Sequence, residues 1–481
     1  MIPLDEARRT VAQGCPPPRA EKVPLAEALG CVLAAPAAAR VDVPPFANSA
    51  MDGYAVRAAD VAAAPVTLEV IGRVLAGASL GAAVGPGQAA RIMTGAPVPE
   101  GADAVCMVER TRPAPAGDGA GGAAPEEAAR VVVEAAVAPG ENVRRPGGDV
   151  RAGETVLDEG AVVGPVQLAA LISAGCAEVS AYPRLRVGVV STGDELVDIG
   201  RPLGAAQIYD SNRPMLLGLV QEAGCVAVDL GRVGDDEDLL AARITGALGE
   251  VDALVLSGGV SVGDVDVVRM VLERLGAGED QWMQIAIRPA KPFAFVTLPG
   301  AGGPVPTFGL PGNPVSSAVS FELLVRPALR RMAGQPVTDR PRCTALAAEP
   351  LERRPDGRVH FVRVALERSG GGPSRRGQGG DAGPAEWFAR PCPGQGSHQI
   401  RSMAIADGLA VVADGHGVGA GEPVEVILTG PAASGWAPCG PAASGWAPSG
   451  PAASGWAPCG PAASGWAPCG PAASGWAGGG S

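Results

Sequence analysis

Apolar and polar positions follow three successive patterns along the chain, and each pattern predicts a different set of elements. Residues 2–39 carry apolar side chains at helical spacing, which predicts two amphipathic helices around a proline-rich turn at 15–18. From 66 to 137, strand-like apolar runs separated by Gly and Pro predict a small β domain. From 185 to 332, strand-like and helix-like runs alternate, which predicts a parallel sheet in a three-layer α/β domain.

The rest of the sequence adds one helix, a second β region and three segments of low complexity. A helix is expected at 165–173, with Gly175 placed to end it. Residues 336–428 contain the strand-like runs VHFVRVAL and GLAVVA and predict another small β domain. The Gly- and Pro-rich inserts at 112–124 and 368–385 are interpreted as flexible loops.

The tail from residue 431 consists of five near-identical ten-residue repeats rich in Pro, Gly and Ser. Such a repeat cannot bury a core, so we assign it no fold. Its Trp and Cys could make a sticky or redox-linkable appendage, and a repeat expansion without a selected role is the alternative.

Strands of the α/β region are expected at 186–190, 226–230, 253–256, 293–298 and 307–310. Ligands of such sheets bind at the carboxyl ends of the strands. Turns rich in Gly, Ser and Asn follow three of these strands, at 191–195, 257–264 and 310–314, and the segment YDSN at 209–212 caps a helix nearby. We therefore expect an anionic ligand to bind at this edge of the sheet.

The last of these turns, PGNP at 311–314, leads into an apolar helix. Asn313 is a favourable N-cap, and Pro314 suits the first helical position because its missing N–H would have no partner there. The next three amides and the positive end of the helix dipole would then face an anion. An ordinary capped helix is the alternative interpretation.

Composition restricts the class of ligand. The 481 residues are 47% hydrophobic and carry a net charge of -12, which argues against binding nucleic acid or an anionic membrane. No apolar run reaches the roughly 18 residues of a membrane span, and the N-terminus lacks the apolar core of a signal peptide, so a cytoplasmic location is expected. The seven cysteines outside the tail show no CxxC spacing, which indicates neither a zinc site nor a disulfide framework.

Acidic residues cluster in or near the turns that would bind the anion. Carboxylates beside an anion make electrostatic sense when a hard cation lies between them, and Mg²⁺ prefers oxygen ligands. Two adjacent acids precede a helix and could simply cap it, so both roles stay open for Asp235 and Asp236. The candidates are Asp52, Asp149, Glu195, Asp235, Asp236 and Asp264.

Basic and hydroxyl groups could hold the anion itself. Arg288 and Lys291 flank a rigid proline-containing turn, and a lysine in this arginine-rich chain hints that a compact ammonium group is needed. Thr94 offers a hydroxyl to a ligand or to a cap. Arg363 and Ser402 could add donors for a small oxyanion, but the sequence around them does not by itself single them out. The sequence has only three histidines, and the usual nucleophilic arrangements are not indicated.

Seven motifs occur in one order between residues 4 and 428: DVPPFANSAMDGYAV, RIMTGAPVPEGADAV, VVSTGDELV, IYDSNRPML, LSGGVSVGDVD, IRPAKPFAF and GLPGNPVSS. Together they resemble the molybdopterin molybdenumtransferase family, which includes the C-terminal domain of gephyrin. The resemblance does not extend to the two inserts or the tail. It implies an enzyme of molybdenum cofactor biosynthesis that inserts molybdate into adenylylated molybdopterin, with Mg²⁺ assisting and AMP released.

The resemblance also implies an elongated homodimer whose site lies between the α/β domain of one subunit and β domains of the other. The expected domains are a helical and linker domain at 1–45 with 138–182, β domains at 46–137 and 334–430, a molybdopterin-binding α/β domain at 183–333, and the tail at 431–481. A molybdopterin adenylyltransferase and molybdoenzyme-specific chaperones are partners that such a family would allow.

Residue by residue, the family's motifs imply the following roles. The catalytic positions would be Asp52, Thr94, Asp149, Glu195, Asp264 and one of Asp235 and Asp236, with the metal ligands drawn from Glu195, Asp235, Asp236 and Asp264. The substrate and molybdate pocket would contain Ser257, Gly258, Gly259, Arg288, Lys291, Pro292, Pro311, Gly312, Asn313, Pro314, Ser316, Arg363 and Ser402. The family's Lys-Pro-Gly-Lys-Pro motif reads RPAKP at 288–292, which keeps the charge but changes the geometry.

Two other functions remain as alternatives. A binding or scaffold module could keep this fold without turnover, but the intact set of carboxylates argues against it. A molybdopterin adenylyltransferase would resemble residues 185–332 alone, and the additional domains argue against that.

Overall fold

The computed structural model describes residues 1–114, 129–259, 267–276, 281–368 and 387–430. The repeat tail, most of both inserts and Asp264 therefore lie outside the described residues. No helix within these ranges combines the length and the apolar composition that crossing a bilayer requires.

The elements of the first 182 residues are mostly short. They are α1 (Leu4–Gly14), β1 (Glu21–Pro24), β2 (Val32–Leu33), β3 (Ala37–Ala38), β4 (Asn48–Ser49), β5 (Gly53–Val56), β6 (Val66–Val74), β7 (Gln88–Ile92), β8 (Ala104–Met107), β9 (Thr111–Pro113), β10 (Arg130–Val133), β11 (Val143–Arg144), β12 (Thr155–Leu157), α2 (Pro165–Ser173) and β13 (Glu178–Tyr182). The bounds of α2 agree with the sequence prediction.

The N-terminal segment forms one of the two predicted helices. α1 packs Ala7 and Val11 into a core, but the segment that follows forms β1, a 3-10 turn at Leu25–Glu27 and β2. Both strands pair with β13, and Gly30 between them has φ +84°, which an α-helix cannot contain. The prediction of a second helix is wrong because pairing with a strand far along the chain outweighs the local apolar spacing.

β5 to β10 form one six-stranded sheet in the order β8-β5-β7-β6-β10-β9. Val56, Leu68 and Val131 are buried together in its core. β9 pairs with β10, so Arg112 and Pro113 belong to a strand and not to the flexible insert in which the sequence placed them.

The α/β region follows directly. Its elements are β14 (Arg186–Thr192), β15 (Leu196–Val197), β16 (Ile208–Tyr209), α3 (Asn212–Glu222), β17 (Val226–Val233), α4 (Glu237–Ala247), β18 (Ala253–Ser257), α5 (Val267–Arg274), β19 (Gln281–Gln284), β20 (Ile287–Arg288), β21 (Pro292–Gly300), β22 (Gly303–Leu310), α6 (Pro314–Ser320) and α7 (Arg326–Met332). A π-helical turn at Phe321–Val325 joins the last two helices.

Four of the five expected strands run parallel, in the order β17-β14-β18-β22. The fifth, β21, runs antiparallel to β22, and β19 runs antiparallel to β21, so the prediction of a wholly parallel sheet is wrong there. The connection between β21 and β22 explains why β21 runs antiparallel. Gly300 pairs with Gly303 in a tight hairpin, whereas a parallel pair would need a long crossover.

Helices cover both faces of this sheet, which confirms the predicted three layers. Val189 and Val255 face a core that α1, α3, α6 and α7 share. The alternate residues Val190 and Leu254 face a second core with α4 and α5. This alternation follows from the two-residue period of a strand.

The C-terminal region contains β23 (Arg342–Ala347), β24 (Leu351–Glu352), β25 (Val359–Arg368), β26 (Trp387–Pro391), α8 (Ile400–Ala404), β27 (Gly408–Val412), β28 (Gly417–Val418) and β29 (Pro423–Leu428). The strands follow the order β25-β26-β23-β29-β27, and β27 pairs back onto β25 to close a small barrel. β20 pairs in parallel beside β25, so Arg288 lies opposite His360.

We expect Phe308→Ala to lower the free energy of unfolding by about 3–5 kcal/mol, because it leaves a cavity in the core. Phe308 is fully buried and its ring centroid lies 5.4 Å from that of Phe295. Ile199→Ala is the control, since Ile199 is 83% exposed, and should change stability by less than about 0.5 kcal/mol. Urea denaturation followed by circular dichroism measures both, and equal effects would contradict this packing.

Candidate functional site

The turns after β14, β18 and β22 open onto one cavity of about 850 Å³, which we call the strand-end cavity. The carboxyl ends of adjacent parallel strands lie at one edge of a sheet, so the three turns meet there. Of the residues predicted for the site, the cavity brings together Glu195, Asp235, Ser257, Gly258, Gly259, Pro292, Pro311, Gly312, Asn313 and Pro314.

Gly258 lets two of these turns touch. Its φ is +104°, and a Cβ at this position would lie 2.5 Å from the carbonyl oxygen of Thr192. Its N–H donates to the carbonyl of Leu310 at 3.2 Å. Only glycine satisfies both the backbone angle and the close approach.

Asn212 links the turns after β18 and β22. Its side-chain amide donates to the hydroxyl of Ser257 at 2.9 Å and to the carbonyl of Gly312 at 2.7 Å. A carbonyl can only accept, so this bond fixes which end of the Asn212 amide points at Gly312. The Asn212 side chain and the backbone bond from Gly258 to Leu310 therefore together set the spacing between the turns after β18 and β22.

A second polar network holds the segment before α3. The hydroxyl of Ser191 donates to the buried carboxylate of Asp210, and Arg213 Nε donates to the same carboxylate at 3.1 Å. Arg213 also contacts Asp198 and Asp229, each at 2.6 Å. Burial alone would lower the pKa of Arg213, but the carboxylates of Asp229 and Asp210 raise it, so the guanidinium stays charged.

The structure distinguishes the roles of the adjacent acids Asp235 and Asp236, which the sequence left open. Asp236 caps α4, because its carboxylate accepts from the N–H of Leu239 at 2.9 Å. Asp235 lines the strand-end cavity, and its N–H donates to Asp194 at 3.0 Å. Asp236 is thus a capping residue, and Asp235 is available to a ligand.

Glu195 and Asp235 could together hold a hard cation. Mg²⁺ in proteins is commonly bound by one or two carboxylates together with oxygens of a bound phosphate. Their donor atoms fit such an ion. Within the described ranges, no three His, Cys, Asp or Glu side chains converge as a complete metal site.

The amides at the start of α6 are largely used within the protein. The N–H of Val315 donates to the carbonyl of Ser397 at 3.1 Å, and that of Ser317 donates to Asn313 at 2.9 Å. The prediction that these two amides bind an anion is therefore wrong. Asn313 stands at the N-cap without a side-chain capping bond, and Ser316 is buried in α6.

The predicted basic residues do not line the strand-end cavity. The side chain of Arg288 is 63% exposed and lies 4.0 Å from the carboxylate of Asp356. Lys291 is also exposed, and only the neighbouring Pro292 reaches the cavity. The RPAKP turn instead joins the α/β sheet to the C-terminal barrel through β20.

Arg363 and Ser402 do come together, but they face inwards. Both are only 1% exposed, and Arg363 Nε donates to the hydroxyl of Ser402 at 3.1 Å. Arg363 also donates to the carbonyls of Gly394 and Gly396 at 3.0 and 3.2 Å, and Ser402 donates to that of Gln399 at 2.7 Å. The described donors of Arg363 and Ser402 are therefore bonded to the Ser402 hydroxyl and to backbone carbonyls of the protein.

Asp52 and Thr94 form an exposed pair on the N-terminal β sheet, outside the strand-end cavity. The carboxylate of Asp52 accepts from the N–H of Thr94 at 2.7 Å and from its hydroxyl at 2.8 Å. These two bonds lower the pKa of Asp52, so it remains ionised at unusually low pH. Asp149 is likewise exposed and does not line the cavity.

Three family models match successive parts of the chain: the MoeA N-terminal region (domain I and II) at residues 2–175, the probable molybdopterin binding domain at 188–331, and the MoeA C-terminal region (domain IV) at 345–429. The molybdopterin molybdenumtransferase of Haemophilus influenzae is 39% identical over 364 residues, which cover 76% of this chain and 85% of the relative. This chain belongs to the molybdopterin molybdenumtransferase family.

A second relative and a solved structure support the same family assignment. Molybdopterin molybdenumtransferase 2 of Mycobacterium tuberculosis is 37% identical over 417 residues, which cover 85% of this chain and 95% of the relative. The crystal structure of the molybdopterin biosynthesis moea protein from Pyrococcus horikosii aligns with a TM-score of 0.65 and 32% identity, covering 89% of this chain and 99% of that one. The predicted family and multidomain fold are confirmed, while the domain bounds and the roles of individual residues stay predictions.

The cavity of this molybdopterin molybdenumtransferase family member is also lined by two residues of the C-terminal region that were not singled out from sequence. His398 and Ile400 come from the C-terminal region and reach the cavity of the α/β region. The contact joins segments far apart in the chain through a backbone bond between Val315 and Ser397. No local spacing signals such a contact.

Asp236→Ala should destabilise the protein by about 1 kcal/mol, because the N–H of Leu239 loses its capping partner. Asp236→Asn keeps a side-chain acceptor, so its free energy of unfolding should be close to that of the unaltered chain. Asp235→Ala should also leave the free energy of unfolding nearly unchanged, since Asp235 is exposed and does not cap the helix. Urea denaturation compares the three, and an equal loss for Asp235→Ala and Asp236→Ala would refute the division of roles.

Thr94→Val should raise the pKa of Asp52 part of the way to its ordinary value, because one of its two donors is lost and the backbone N–H remains. In the unaltered chain the lowered pKa favours the folded state above the ordinary carboxyl pKa, and this contribution disappears as pH falls through the lowered value. NMR titration of the Asp52 carboxyl carbon measures the change. Thr111→Val, whose hydroxyl donates to Val108, is the control and should leave Asp52 unchanged.

Proposed function

We propose that this chain inserts molybdate into adenylylated molybdopterin and releases AMP, with Mg²⁺ assisting. The observation that carries the proposal is the strand-end cavity, whose walls lie largely in the segment matched by the probable molybdopterin binding domain. Its volume of about 850 Å³ falls in the range of small-molecule sites.

The glycine-containing turns would let the main chain approach phosphate groups closely. Gly258, Gly259 and Gly312 line the cavity without side chains that would hold a ligand away from the main chain. Asn212 fixes two of the turns relative to each other, so the surface that meets the ligand is formed before binding. Preformed surfaces of this kind lower the entropic cost of orienting a substrate.

Glu195 and Asp235 are the described side chains that would hold Mg²⁺, and we keep Asp264 as a third candidate. When bound, the ion would neutralise charge on the pyrophosphate as its phosphoanhydride bond breaks. Positioning and electrostatics supply most of the rate in such phosphoryl chemistry. The residues of this chain would therefore act by orienting the pyrophosphate and the molybdate, without a covalent intermediate.

We further propose that the active form is a homodimer in which Asp52, Thr94 and Asp149 of one subunit face the cavity of the other. The pair of Asp52 and Thr94 is preorganised, ionised and exposed, yet does not line the cavity of its own chain. A preorganised acid on an open surface is supporting evidence for a ligand or partner at that surface. A molybdopterin adenylyltransferase would supply the substrate, and molybdoenzyme-specific chaperones would accept the product.

The test incubates the purified chain with adenylylated molybdopterin, molybdate and Mg²⁺, and follows AMP release and molybdenum bound to the pterin. We expect molybdate-dependent AMP release in step with metal insertion, at equal rates for the full chain and for a chain ending at Gly430. Tight binding of the pterin without AMP release would instead favour a binding module.

Asp235→Asn should reduce kcat by about 100-fold if this carboxylate stabilises charge at the reacting phosphate. Asp236→Asn is the matched control, because it changes the adjacent residue and keeps the capping acceptor. Steady-state rates of AMP release compare the two variants. Equal rates of AMP release in the two variants would contradict a catalytic role for Asp235.

A further inference from the structure

A third acid lines the strand-end cavity beside the two that would hold Mg²⁺. Asp210 lines it together with Glu195 and Asp235, but the side chain of Asp210 is only 1% exposed. A buried carboxylate is costly unless it is hydrogen-bonded and paired with a cation. The contacts of Asp210 therefore decide whether this carboxylate is available to a ligand.

Both carboxylate oxygens of Asp210 are bonded within the protein. One oxygen accepts from the hydroxyl of Ser191 and from Arg213 Nε, the latter at 3.1 Å. The other accepts from the N–H of Arg213 at 3.2 Å, in the first turn of α3. Three of the roughly four acceptor positions of a carboxylate are thus occupied. Asp210 therefore attaches the start of α3 to the end of β14, where Ser191 lies.

The backbone around Asp210 continues this attachment. The N–H of Ile208 donates to the carbonyl of Glu195 at 2.8 Å, and the N–H of Asp210 donates to the carbonyl of Val197 at 2.9 Å. β15 and β16 pair in parallel here. The turn that carries Glu195 after β14 is therefore held by the same segment.

Asn212 extends these contacts to the other two strand ends. Its side-chain amide donates to Ser257 at the end of β18 and to the carbonyl of Gly312 after β22. Residues 208–212, which we call the tie segment, thus contact the ends of all three parallel strands whose turns form the cavity. A movement of the tie segment would change the spacing of all three turns.

Arg213 supplies the positive charge that the buried carboxylate of Asp210 requires. The guanidinium also contacts Asp198 and Asp229, each at 2.6 Å. These two side chains are 45% and 47% exposed, so water can hydrate their charge without Arg213. Of the three acids that contact Arg213, only Asp210 lines the strand-end cavity.

We propose that Asp210 is a positioning residue, which holds the tie segment so that the turns after β14, β18 and β22 keep the spacing that the reaction needs. Asp210 touches neither the substrate nor Mg²⁺. The inference rests on the proposed function for the identity of the reaction, whereas the effect of Asp210 on the turns does not depend on it. Misplacing reacting groups by about 1 Å can lower kcat by about 100-fold even when the altered residue is distant from the chemistry.

Hydrogen exchange measures the spacing of the turns without any substrate. The N–H of Gly258 donates to the carbonyl of Leu310, so its exchange with deuterium reports on two of the turns. In Asp210→Asn we expect this exchange to be about tenfold faster or more, the size expected for losing a hydrogen bond to a charged group. Mass spectrometry of peptides that contain Gly258 measures the rate.

Asp198→Asn is the matched control, because it also removes a carboxylate from Arg213 but one that does not line the cavity. Exchange at Gly258 should change by less than about twofold in this variant, since exposed ion pairs contribute little. Urea denaturation establishes that both variants are folded at the temperature of the measurements.

Steady-state kinetics of AMP release separate positioning from binding. Asp210→Asn should lower kcat by about tenfold or more and change KM for adenylylated molybdopterin by less than about threefold, because lost orientation acts on the transition state more than on substrate binding. Excess Mg²⁺ should not restore kcat, as it would if a metal ligand had been removed. Asp198→Asn should match the unaltered chain.

Ser191→Ala carries the same test if Asp210→Asn does not fold. It removes one of the three donors to Asp210 and leaves the ion pair with Arg213 in place. Exchange at Gly258 and kcat should change in the same directions as in Asp210→Asn, by smaller factors. The double variant should be no slower than Asp210→Asn alone, because both substitutions act through the same bond.

The measurements distinguish failure of this inference from failure of the proposed function. Faster exchange at Gly258 in Asp210→Asn but not in Asp198→Asn, without AMP release by the unaltered chain, would support the role of Asp210 in spacing the turns and reject the transferase activity. Unchanged exchange at Gly258 in both Asp210→Asn and Ser191→Ala would overturn the inference and leave the activity standing. Equal kcat in Asp210→Asn and Asp198→Asn, or recovery of kcat in excess Mg²⁺, would also overturn it.

Discussion

The site depends on one constraint, which is that β14, β18 and β22 run parallel and adjacent. Their carboxyl ends meet at one edge, and three short turns must then share a small space. That crowding explains why residue 258 is a glycine that nearly touches Thr192, and why a single amide from Asn212 can reach both Ser257 and Gly312. The cavity is the space that remains in front of these turns.

The sequence predicted the elements whose signal is local. The apolar runs at β14, β17, β18 and β22 are short and bounded by glycine-containing turns, so their positions and the meeting of their ends could be anticipated. The second N-terminal helix could not be excluded in the same way, because the pairing of β1 and β2 with β13 is a long-range interaction. The reversal of β21 depends on a tight turn between two strands that sequence periodicity alone treats as equivalent.

The candidate site shows the same division between local and distant information. The motifs pointed to Glu195, Asp235 and the glycine turns, and these residues do meet. They also placed Arg288 and Lys291 in the same pocket, yet the turn carrying these two residues belongs to the junction with the barrel. His398 escaped notice because nothing next to it in sequence marks it, and the segment that carries it meets the α/β region through the long-range bond between Val315 and Ser397.

The segment around β20 has a consequence for exchanging parts between relatives. The N–H of Ile2 donates to the carbonyl of Gln284, and the N–H of Ala286 donates back to Ile2, while Ile287 pairs with Val359 of the barrel. Three portions of the chain thus share one short stretch of backbone between β19 and β21. A chimera that took its barrel from one parent and this stretch from another would keep these main-chain bonds only if the backbones of both parents follow the same path at this triple junction. Recombination of such proteins should treat the extreme N-terminus, this stretch and the barrel as one inherited block.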